Sequence, residues 1–162
     1  MDSNMTQYTF IDASGTQYYF LNGQLHREDG PAIICPDGSQ AWYLNGKFHR
    51  EDGPASIWGN GTQQWFINGK CHRENGPAII WEDGTKEWHL NDKLHRQDGP
   101  AIISPDGTQE WYQNGKIHRE GGPAYIQPNG RKEYYLNGIQ HDGISNKISF
   151  NINTQFSIKD GF

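Results

Sequence analysis

The chain repeats itself with a constant period, and this period constrains its fold more than any other feature. A His-Arg pair recurs every 23 residues, beginning at His26, His49, His72, His95 and His118, and His141 keeps the phase. Asn-Gly precedes most of these pairs, and Gly-Pro-Ala follows each of the five. A fixed period of roughly 20–50 residues indicates one supersecondary unit stacked on copies of itself. Such an array offers an extended surface, whereas a catalytic site is usually one asymmetric constellation.

Composition narrows the classes of partner. The net charge is -5 and the pI is about 5.7, which argues against binding to a nucleic acid backbone, since that needs clustered Lys and Arg. No apolar stretch approaches membrane-spanning length, and the chain opens without a secretory leader, so we expect a cytoplasmic protein. Cys35 and Cys71 occupy different phases of the repeat, and we expect both to be free thiols.

One repeat is enough to predict the local structure. Thr108–Gln113 is aromatic-rich, lacks Gly and Pro, and has the length of a strand. Asn114-Gly115 then supplies the strongest short signal for a hairpin turn. Lys116–His118 begins the return, and Ala124–Gln127 completes it after an interrupting loop. We therefore predict roughly two strands per repeat and 10 or more in all.

The predicted fold is all-β, an elongated antiparallel single-layer meander of 23-residue hairpin repeats with capping strands at both ends. Residues 1–14 are expected to form an N-terminal cap strand around Gln7–Ile11, and residues 15–143 the repeat array. Residues 144–162, where Ile148, Phe150 and Ile152 alternate with polar residues, are expected to form a C-terminal cap. Open sheets need their edges covered to avoid recruiting other chains.

Alternation along a strand separates two faces of the predicted sheet. One face is nearly constant from repeat to repeat, with an aromatic ladder, an alanine ladder and an isoleucine ladder. Because constant positions serve stacking, we expect Trp65 and Trp88 on this face to be buried and to act through stability.

The opposite face varies, and it is the candidate binding site. Positions that read a partner need not be constant between repeats, and aromatic side chains are enriched among interface anchors. Trp58 and Trp81 are predicted to lie on the return strands of this face beside Tyr43 and Phe66. The predicted partner-binding residues are Tyr43, Trp58, Phe66, Trp81, His89 and Tyr112.

The His-Arg pairs do not fit a metal or catalytic site. Equivalent histidines two strands apart are separated by roughly 10 Å, whereas zinc ligands must lie about 2 Å from the ion. No Ser or Cys nucleophile recurs beside the histidines, so we predict no catalytic residues, no metal and no cofactor. Instead, each His and its following acidic residue are expected to fix the loop by hydrogen bonds, while Arg pairs with the next repeat's carboxylate.

These motifs resemble the MORN repeat. The aromatic residue two positions before Asn-Gly, the turn glycine and the histidine three positions later match that family, over about residues 15–143. The matching residues are Tyr43, Phe66, Tyr112 and Tyr135, then Gly46, Gly69, Gly115 and Gly138, then His49, His72, His118 and His141. MORN repeats usually continue with Gly-x-Gly, where this chain has Arg-Glu-Asp-Gly-Pro-Ala, so it is similar to a variant branch with a longer loop.

The resemblance implies an elongated, curved, single-layer antiparallel sheet without enzymatic activity. MORN arrays act as protein-interaction scaffolds, self-associate and have been linked with acidic lipid surfaces. The variant branch is frequent in phages, giant viruses and bacteria, where relatives carry antitoxin-type labels. This chain lacks the additional Lys and Arg that binding to lipid would need.

Together these observations favour a non-catalytic protein that binds a partner protein through the aromatic face, or that self-associates through it. The most concrete form is a viral or bacterial inhibitor that neutralises a toxin or defence factor, acting in the host cytoplasm if viral. One alternative is a protein that sequesters a small ligand such as a nucleotide or sugar by ring stacking. A lipid-surface scaffold is a further alternative that the charge disfavours. We expect neither nucleic acid binding nor membrane insertion.

Overall fold

The computed structural model describes residues 7–143, and these belong to two compact units. The first unit ends at Lys93 and the second begins at Leu94. Within residues 7–143 there is no helix, and hence none long and apolar enough to span a membrane. The all-β prediction is thus confirmed for this range. The predicted C-terminal cap, 144–162, lies outside the described residues.

The strands are short, and most contain two residues. Those of the first unit are β1 (Gln7–Ile11), β2 (Gln17–Leu21), β3 (Gln24–Leu25), β4 (Ile33–Ile34), β5 (Gln40–Ala41), β6 (Tyr43–Leu44), β7 (Lys47–Phe48), β8 (Ser56–Ile57), β9 (Gln63–Gln64), β10 (Phe66–Ile67), β11 (Lys70–Cys71), β12 (Ile79–Ile80), β13 (Lys86–Glu87) and β14 (His89–Leu90). The boundary between the units lies within β15 (Lys93–Leu94). Those of the second unit are β16 (Ile102–Ile103), β17 (Gln109–Glu110), β18 (Tyr112–Gln113), β19 (Lys116–Ile117), β20 (Tyr125–Ile126), β21 (Lys132–Leu136) and β22 (Ile139–His141).

Each unit contains an antiparallel meander with small hairpins beside it. In the first unit the order is β1-β2-β4-β5-β8-β9-β12-β13, with β3 pairing with β2 and with separate hairpins β6–β7 and β10–β11. In the second unit the order is β16-β17-β20-β21-β22, with a separate hairpin β18–β19. If β3 and the strands of the separate hairpins are set aside, neighbours in each of these orders are also neighbours along the chain. This order confirms the predicted meander.

Each predicted six-residue strand between the chain's ends is interrupted at its tryptophan, which corrects the expectation of two strands per repeat. Trp111, for example, separates β17 from β18. Its amide donates to the carbonyl of Ala124 in the meander (2.8 Å), whereas its carbonyl accepts from the amide of His118 in the hairpin (2.9 Å). The backbone therefore exchanges one set of partners for another at this residue. A full repeat consequently contains four short strands, as in β5 to β8.

The Asn-Gly turns have the predicted geometry. Asn45 and Gly46 have φ values of 51° and 73°, and two successive positive values mark the type I′ turn that joins tight hairpins. The variant pair Asn91 and Asp92 keeps this conformation, with φ values of 51° and 66°, because Asp tolerates the left-handed region. The hairpin prediction is therefore confirmed at these turns.

Alanines, and not tryptophans, form the fully enclosed part of the array. The alanine ladder has 0% exposure at Ala32, Ala55, Ala78, Ala101 and Ala124. Trp65 and Trp88 are only half-buried, and no large side chain of the described residues is fully buried. The expectation of buried tryptophans is therefore wrong, since this single layer of backbone completely encloses only small side chains.

The register confirms the separation of two faces. Gln40 pairs with Ile34 on one side and with Ile57 on the other, so glutamines interleave the isoleucine ladder. In the adjacent row, Ala41 pairs with Ser56. Residues assigned to the constant and to the variable face thus occupy separate rows, as alternation along a strand requires.

Backbone hydrogen bonds join each hairpin to the next. The amide of Arg27 donates to the carbonyl of Tyr43 (3.0 Å), and the amide of Gly46 donates to the carbonyl of Leu25 (2.9 Å). The corresponding bonds of the next step run from Arg50 to Phe66 and from Gly69 to Phe48. Because these contacts use no side-chain atoms, the side chains at the hairpin positions are free to differ between repeats.

We expect enlargement of the alanine ladder to destabilise the fold strongly. Ala55 has 0% exposure, so Ala55→Leu must displace neighbouring backbone, at a cost of about 1–3 kcal/mol. Ala13, which is exposed, provides the control, and Ala13→Leu should change stability little. Urea denaturation of both variants measures the difference, and equal stabilities would contradict the assignment of the alanines as the core.

Candidate functional site

Four of the predicted binding residues occupy one equivalent position at the start of a hairpin. Tyr43 begins β6, Phe66 begins β10, His89 begins β14 and Tyr112 begins β18. All four are half-buried. Burial raises the pKa of the Tyr43 phenol. Within its own unit, each of these side chains is therefore less accessible to a partner than an exposed residue would be.

Phe48 links two of these positions, and sequence reasoning missed it. Its ring centroid lies 4.2 Å from that of Tyr43 and 5.0 Å from that of Phe66. Phe66 in turn packs against the buried Cys71, whose thiol pKa burial raises to about 12. The signal was present in the sequence, because Phe48 is the cross-strand partner of Tyr43 in the predicted hairpin.

Further along the chain, the same face becomes polar. Glu87 accepts hydrogen bonds from the Trp81 indole (2.7 Å) and from the Nε2 of His89 (2.8 Å). The bond from His89 is the main cause that lowers the pKa of Glu87, against the opposing effect of burial. This carboxylate therefore places Trp81 and His89 on one surface, as the sequence predicted.

In the second unit, tyrosines replace the histidine in this arrangement. The Tyr112 hydroxyl donates to Glu110 (2.9 Å), and the Tyr135 hydroxyl donates to Glu133 (2.7 Å). Burial, aided by the bond to Glu110, raises the pKa of Tyr112 to about 12. Each hydroxyl thus donates its only proton within the chain, so toward a partner it can act only as an acceptor.

Trp58 and Trp81 lie in turns, which corrects their predicted place on the return strands. The return strands β8 and β12 end one residue earlier, at Ile57 and Ile80. The Trp58 amide donates to the carbonyl of Thr62 (2.9 Å), which closes the turn. Trp58 is 53% exposed and Trp81 is 38% exposed. The rings therefore project from the loop edge of the first unit.

The two tryptophan turns are neighbours. The amide of Glu82, which follows Trp81, donates to the hydroxyl of Thr62, which closes the turn of Trp58 (3.2 Å). The ring contacts described above do not include Trp58, so its predicted position beside Tyr43 and Phe66 gains no support from contacts within residues 7–143. The two tryptophans thus belong to adjacent turns, one repeat apart.

An additional aromatic patch lies at the start of the first unit. The Tyr8 ring stacks on Phe20 with centroids 4.9 Å apart, and the Phe10 ring lies 5.9 Å from Tyr18. Tyr8 is 45% exposed and Phe10 is 51% exposed. The pairing of β1 with β2 could have indicated this patch, because it brings the two alternating aromatic rows together.

The arginines of the His-Arg pairs stabilise their own loops. The Arg50 guanidinium lies 4.1 Å from the centre of the Trp42 ring, and its Nε donates to Asp52 (2.8 Å). A Cβ on Gly53 would lie 2.9 Å from that guanidinium, so a side chain there would displace the guanidinium from its position. Asp52 belongs to the same loop, so the prediction that Arg pairs with the next repeat's carboxylate is wrong. The same stack recurs at Arg27, Arg73 and Arg119.

The histidines connect consecutive repeats. The Nδ1 of His118 accepts from the backbone amide of Asn137 (3.0 Å), and the Nδ1 of His49 accepts from that of Asn68 (3.2 Å). The side-chain oxygen of Asn68 is equally near Nδ1, at 3.1 Å. A nitrogen that accepts from a backbone N–H cannot also donate, so the backbone bond decides the tautomer. The ring nitrogen that carries the proton is therefore Nε2.

The glutamate that follows the His-Arg pair does not bond to its histidine. The distance from the His49 Nε2 to Glu51 is 3.7 Å, which exceeds a hydrogen bond, and Glu51 is largely exposed. Within residues 7–143, no group of three or more His, Cys, Asp and Glu side chains is placed to hold a metal ion.

Consecutive loops enclose recesses that are open to solvent. One of about 430 Å³ lies between the Arg27 and Arg50 loops, and one of about 670 Å³ lies between the Arg50 and Arg73 loops. A third, of about 510 Å³, lies between the Arg96 and Arg119 loops of the second unit. The lining of each recess includes one tryptophan of the constant face and one histidine of a His-Arg pair. The repeat thus generates several similar recesses.

No protein-family model matches this chain, and no curated protein matches it. The likeness to MORN repeats therefore stays a resemblance of the quoted residues and their period. The site has to be interpreted from its own geometry.

We expect the fold to lose stability in acid through the loop aspartates. The hydrogen bond from Arg50 is the main cause that lowers the pKa of Asp52, and Arg27 and Arg96 act alike on Asp29 and Asp98. An aspartate whose pKa is lowered in the folded state stabilises the fold at every pH above its unfolded-state pKa of about 3.9. This stabilisation disappears as the pH falls through the folded-state pKa of the same group. Melting temperatures between pH 6 and pH 2 measure this loss. The triple Asp→Asn variant should show a lower melting temperature at neutral pH and a shallower acid decline than the parent chain. Parallel declines would contradict the role of these carboxylates.

Removal of a histidine from one of the His-Arg pairs should weaken the connection between consecutive repeats. His118 is buried, so His118→Ala leaves the Asn137 amide without its acceptor, at a cost of about 1–3 kcal/mol. His118→Asn places an amide oxygen near the Nδ1 position and should recover part of that loss. Thermal melts with and without zinc provide the readout. A zinc-dependent rise that disappears in His118→Ala would instead indicate a metal site.

Proposed function

We propose that this chain is a non-catalytic interaction protein that binds a partner protein through its variable face. The proposed binding residues are Tyr43, Trp58, Phe66, Trp81 and His89 in the first unit and Tyr112 in the second. We add Phe48 of the first unit because its ring bridges Tyr43 and Phe66. The observation that carries the proposal is the exposure of Trp58 and Trp81 in adjacent turns, at 53% and 38%. Exposed indoles in neighbouring positions favour association, and tryptophan is enriched among the anchors of interfaces.

The surroundings of the two indoles support the same proposal. Glu87 fixes the Trp81 indole by a hydrogen bond, so little side-chain freedom is lost when a partner binds there. Trp58 makes no comparable hydrogen bond among the described contacts, and it supplies mainly apolar area. One fixed and one adjustable anchor suit a protein surface with a groove for an indole.

The more specific form of the proposal depends on the MORN resemblance. A microbial or viral inhibitor that neutralises a toxin or defence factor in the cytoplasm combines a repeat scaffold with a face that varies between repeats. The net charge of -5 favours a partner with a basic surface, since complementary charge speeds encounter. Self-association through the same face is the second form of the proposal.

Ligand sequestration is less well supported. A single deep pocket would favour it, whereas the recesses described here recur from loop to loop and are open. A lipid scaffold fits less well still, because exposed acidic side chains such as Glu28, Glu51 and Glu74 accompany the loop arginines.

The proposal predicts that Trp58→Ser combined with Trp81→Ser abolishes partner binding while the melting temperature changes little. Both indoles are exposed, so their loss removes contact area for a partner and little packing within the chain. Affinity capture from the native host, followed by titration with the captured protein, measures binding. Light scattering measures self-association.

Lys47→Ser combined with Lys70→Ser is the matched control, since both lysines are exposed and lie 23 residues apart in consecutive hairpins. This variant should keep its partner. A tryptophan variant that unfolds, or that binds as tightly as the parent, would refute the assignment of the interface.

A further inference from the structure

Two loop arginines lack the carboxylate that their equivalents bind. The Nε atoms of Arg27, Arg50 and Arg96 donate to an aspartate two residues later, at 2.8–2.9 Å. At Arg73 and Arg119, that aspartate is replaced by Asn75 and Gly121. No carboxylate of residues 7–143 forms an ion pair with either of these two arginines. The Nε edge of each of these two guanidinium groups is therefore without a carboxylate partner among the described residues.

Both unpaired arginines keep two contacts of the paired ones, the ring stack and the bond to the proline carbonyl. The Arg119 guanidinium lies 3.9 Å from the centre of the Trp111 ring, and its Nη1 donates to the Pro123 carbonyl (3.0 Å). Arg73 has the same two contacts, with Trp65 at 4.0 Å and Pro77 at 3.0 Å. The Nε edge is thus fixed in position before any ligand arrives, which favours binding.

We propose that Arg73 and Arg119 are binding positions for the carboxylate of an acidic peptide segment from a partner. The chain itself shows the ligand chemistry, since an aspartate carboxylate occupies the equivalent edge in the other loops. A planar guanidinium binds a carboxylate by charge-assisted hydrogen bonds. This site lies on the loops of the constant face, so it is independent of the aromatic surface proposed above.

The charge of the recesses favours Arg119 over Arg73. Beside Arg119, two arginines face two carboxylates, Asp98 and Glu120, so that recess is neutral. Beside Arg73, two arginines face three carboxylates, so that recess has one net negative charge. The nearby acidic groups also favour a singly charged carboxylate over a doubly charged phosphate, because like charges repel.

The test is a titration of the full chain with N-acetyl-Asp-Gly-Pro-amide, a peptide that copies the loop sequence following Arg50 and Arg96. The N–H resonances of the arginine Nε atoms report binding directly in ¹⁵N spectra. We expect saturable shifts at Arg119, weaker ones at Arg73 and none at Arg27 or Arg50. The N-acetyl-Asn-Gly-Pro-amide control should cause none, and the same Asn peptide with a free C-terminus tests a terminal carboxylate as the source.

Two variants that add or remove the internal aspartate test the proposal without altering any arginine, so a folding defect caused by an Arg119 substitution cannot decide the outcome. Asn75→Asp should supply the missing internal partner and abolish the response of Arg73. Asp52→Asn should remove the internal partner of Arg50 and create a response there. Arg119→Lys should weaken binding of the Asp peptide at least tenfold while melting curves verify folding. Equal shifts with the Asp and Asn peptides, or responses that ignore the Asn75→Asp and Asp52→Asn exchange, would overturn the proposal.

Discussion

The stacking of each loop arginine on an aromatic ring is the interaction on which the repeat depends. A single-layer sheet has no second layer to cover its tryptophans, and the guanidinium takes that place, 4.1 Å above the Trp42 ring in the case of Arg50. Such cation–π contacts contribute about 0.5–2 kcal/mol each, depending on burial. The loop glycine leaves room for this stack, because a Cβ on Gly53 would lie 2.9 Å from the guanidinium and would displace it. One contact thus accounts for three constant residues of the repeat.

The same contact persists where the loop sequences differ. Arg73 keeps its ring and its proline carbonyl although Asn75 replaces the aspartate, so the carboxylate is an addition to the stack and not a condition for it. The exposed Arg50–Asp52 pair contributes little by itself, as surface ion pairs generally do. A residue whose contribution to stability is small is free to change. Variation at this position therefore alters the chemistry that a recess offers and leaves the arginine–ring stack in place.

The sequence predicted the parts of the structure that follow from local backbone rules. The period, the type I′ turns at Asn45-Gly46 and the separation of two faces depend on turn chemistry and alternation, which act over a few residues. The interruption of the strands at Trp111 was not predictable in this way, because it reflects a change of backbone partners that are distant in sequence. The partner of Arg50 was not predictable either. The stack on Trp42 holds the guanidinium next to Asp52 of its own loop and away from the acidic residues of a neighbouring repeat. In the candidate site, the sequence predicted the hairpin positions but not the contribution of Phe48. It also placed Trp58 on the return strand, whereas that strand ends one residue earlier.

Backbone bonds between hairpins separate the stability of the array from the chemistry of its variable face. The bonds from Arg27 to Tyr43 and from Gly46 to Leu25 would form with almost any side chain at the hairpin position. Within the first unit, the face can consequently change from the ring cluster around Phe48 to the Trp81–Glu87–His89 group without a change of scaffold. The order of side chains along this backbone therefore changes from one hairpin to the next, while the backbone bonds beneath them recur. Under the proposed function, the pattern of rings and carboxylates would be what selects a partner, since the recurring backbone bonds do not distinguish one hairpin from another.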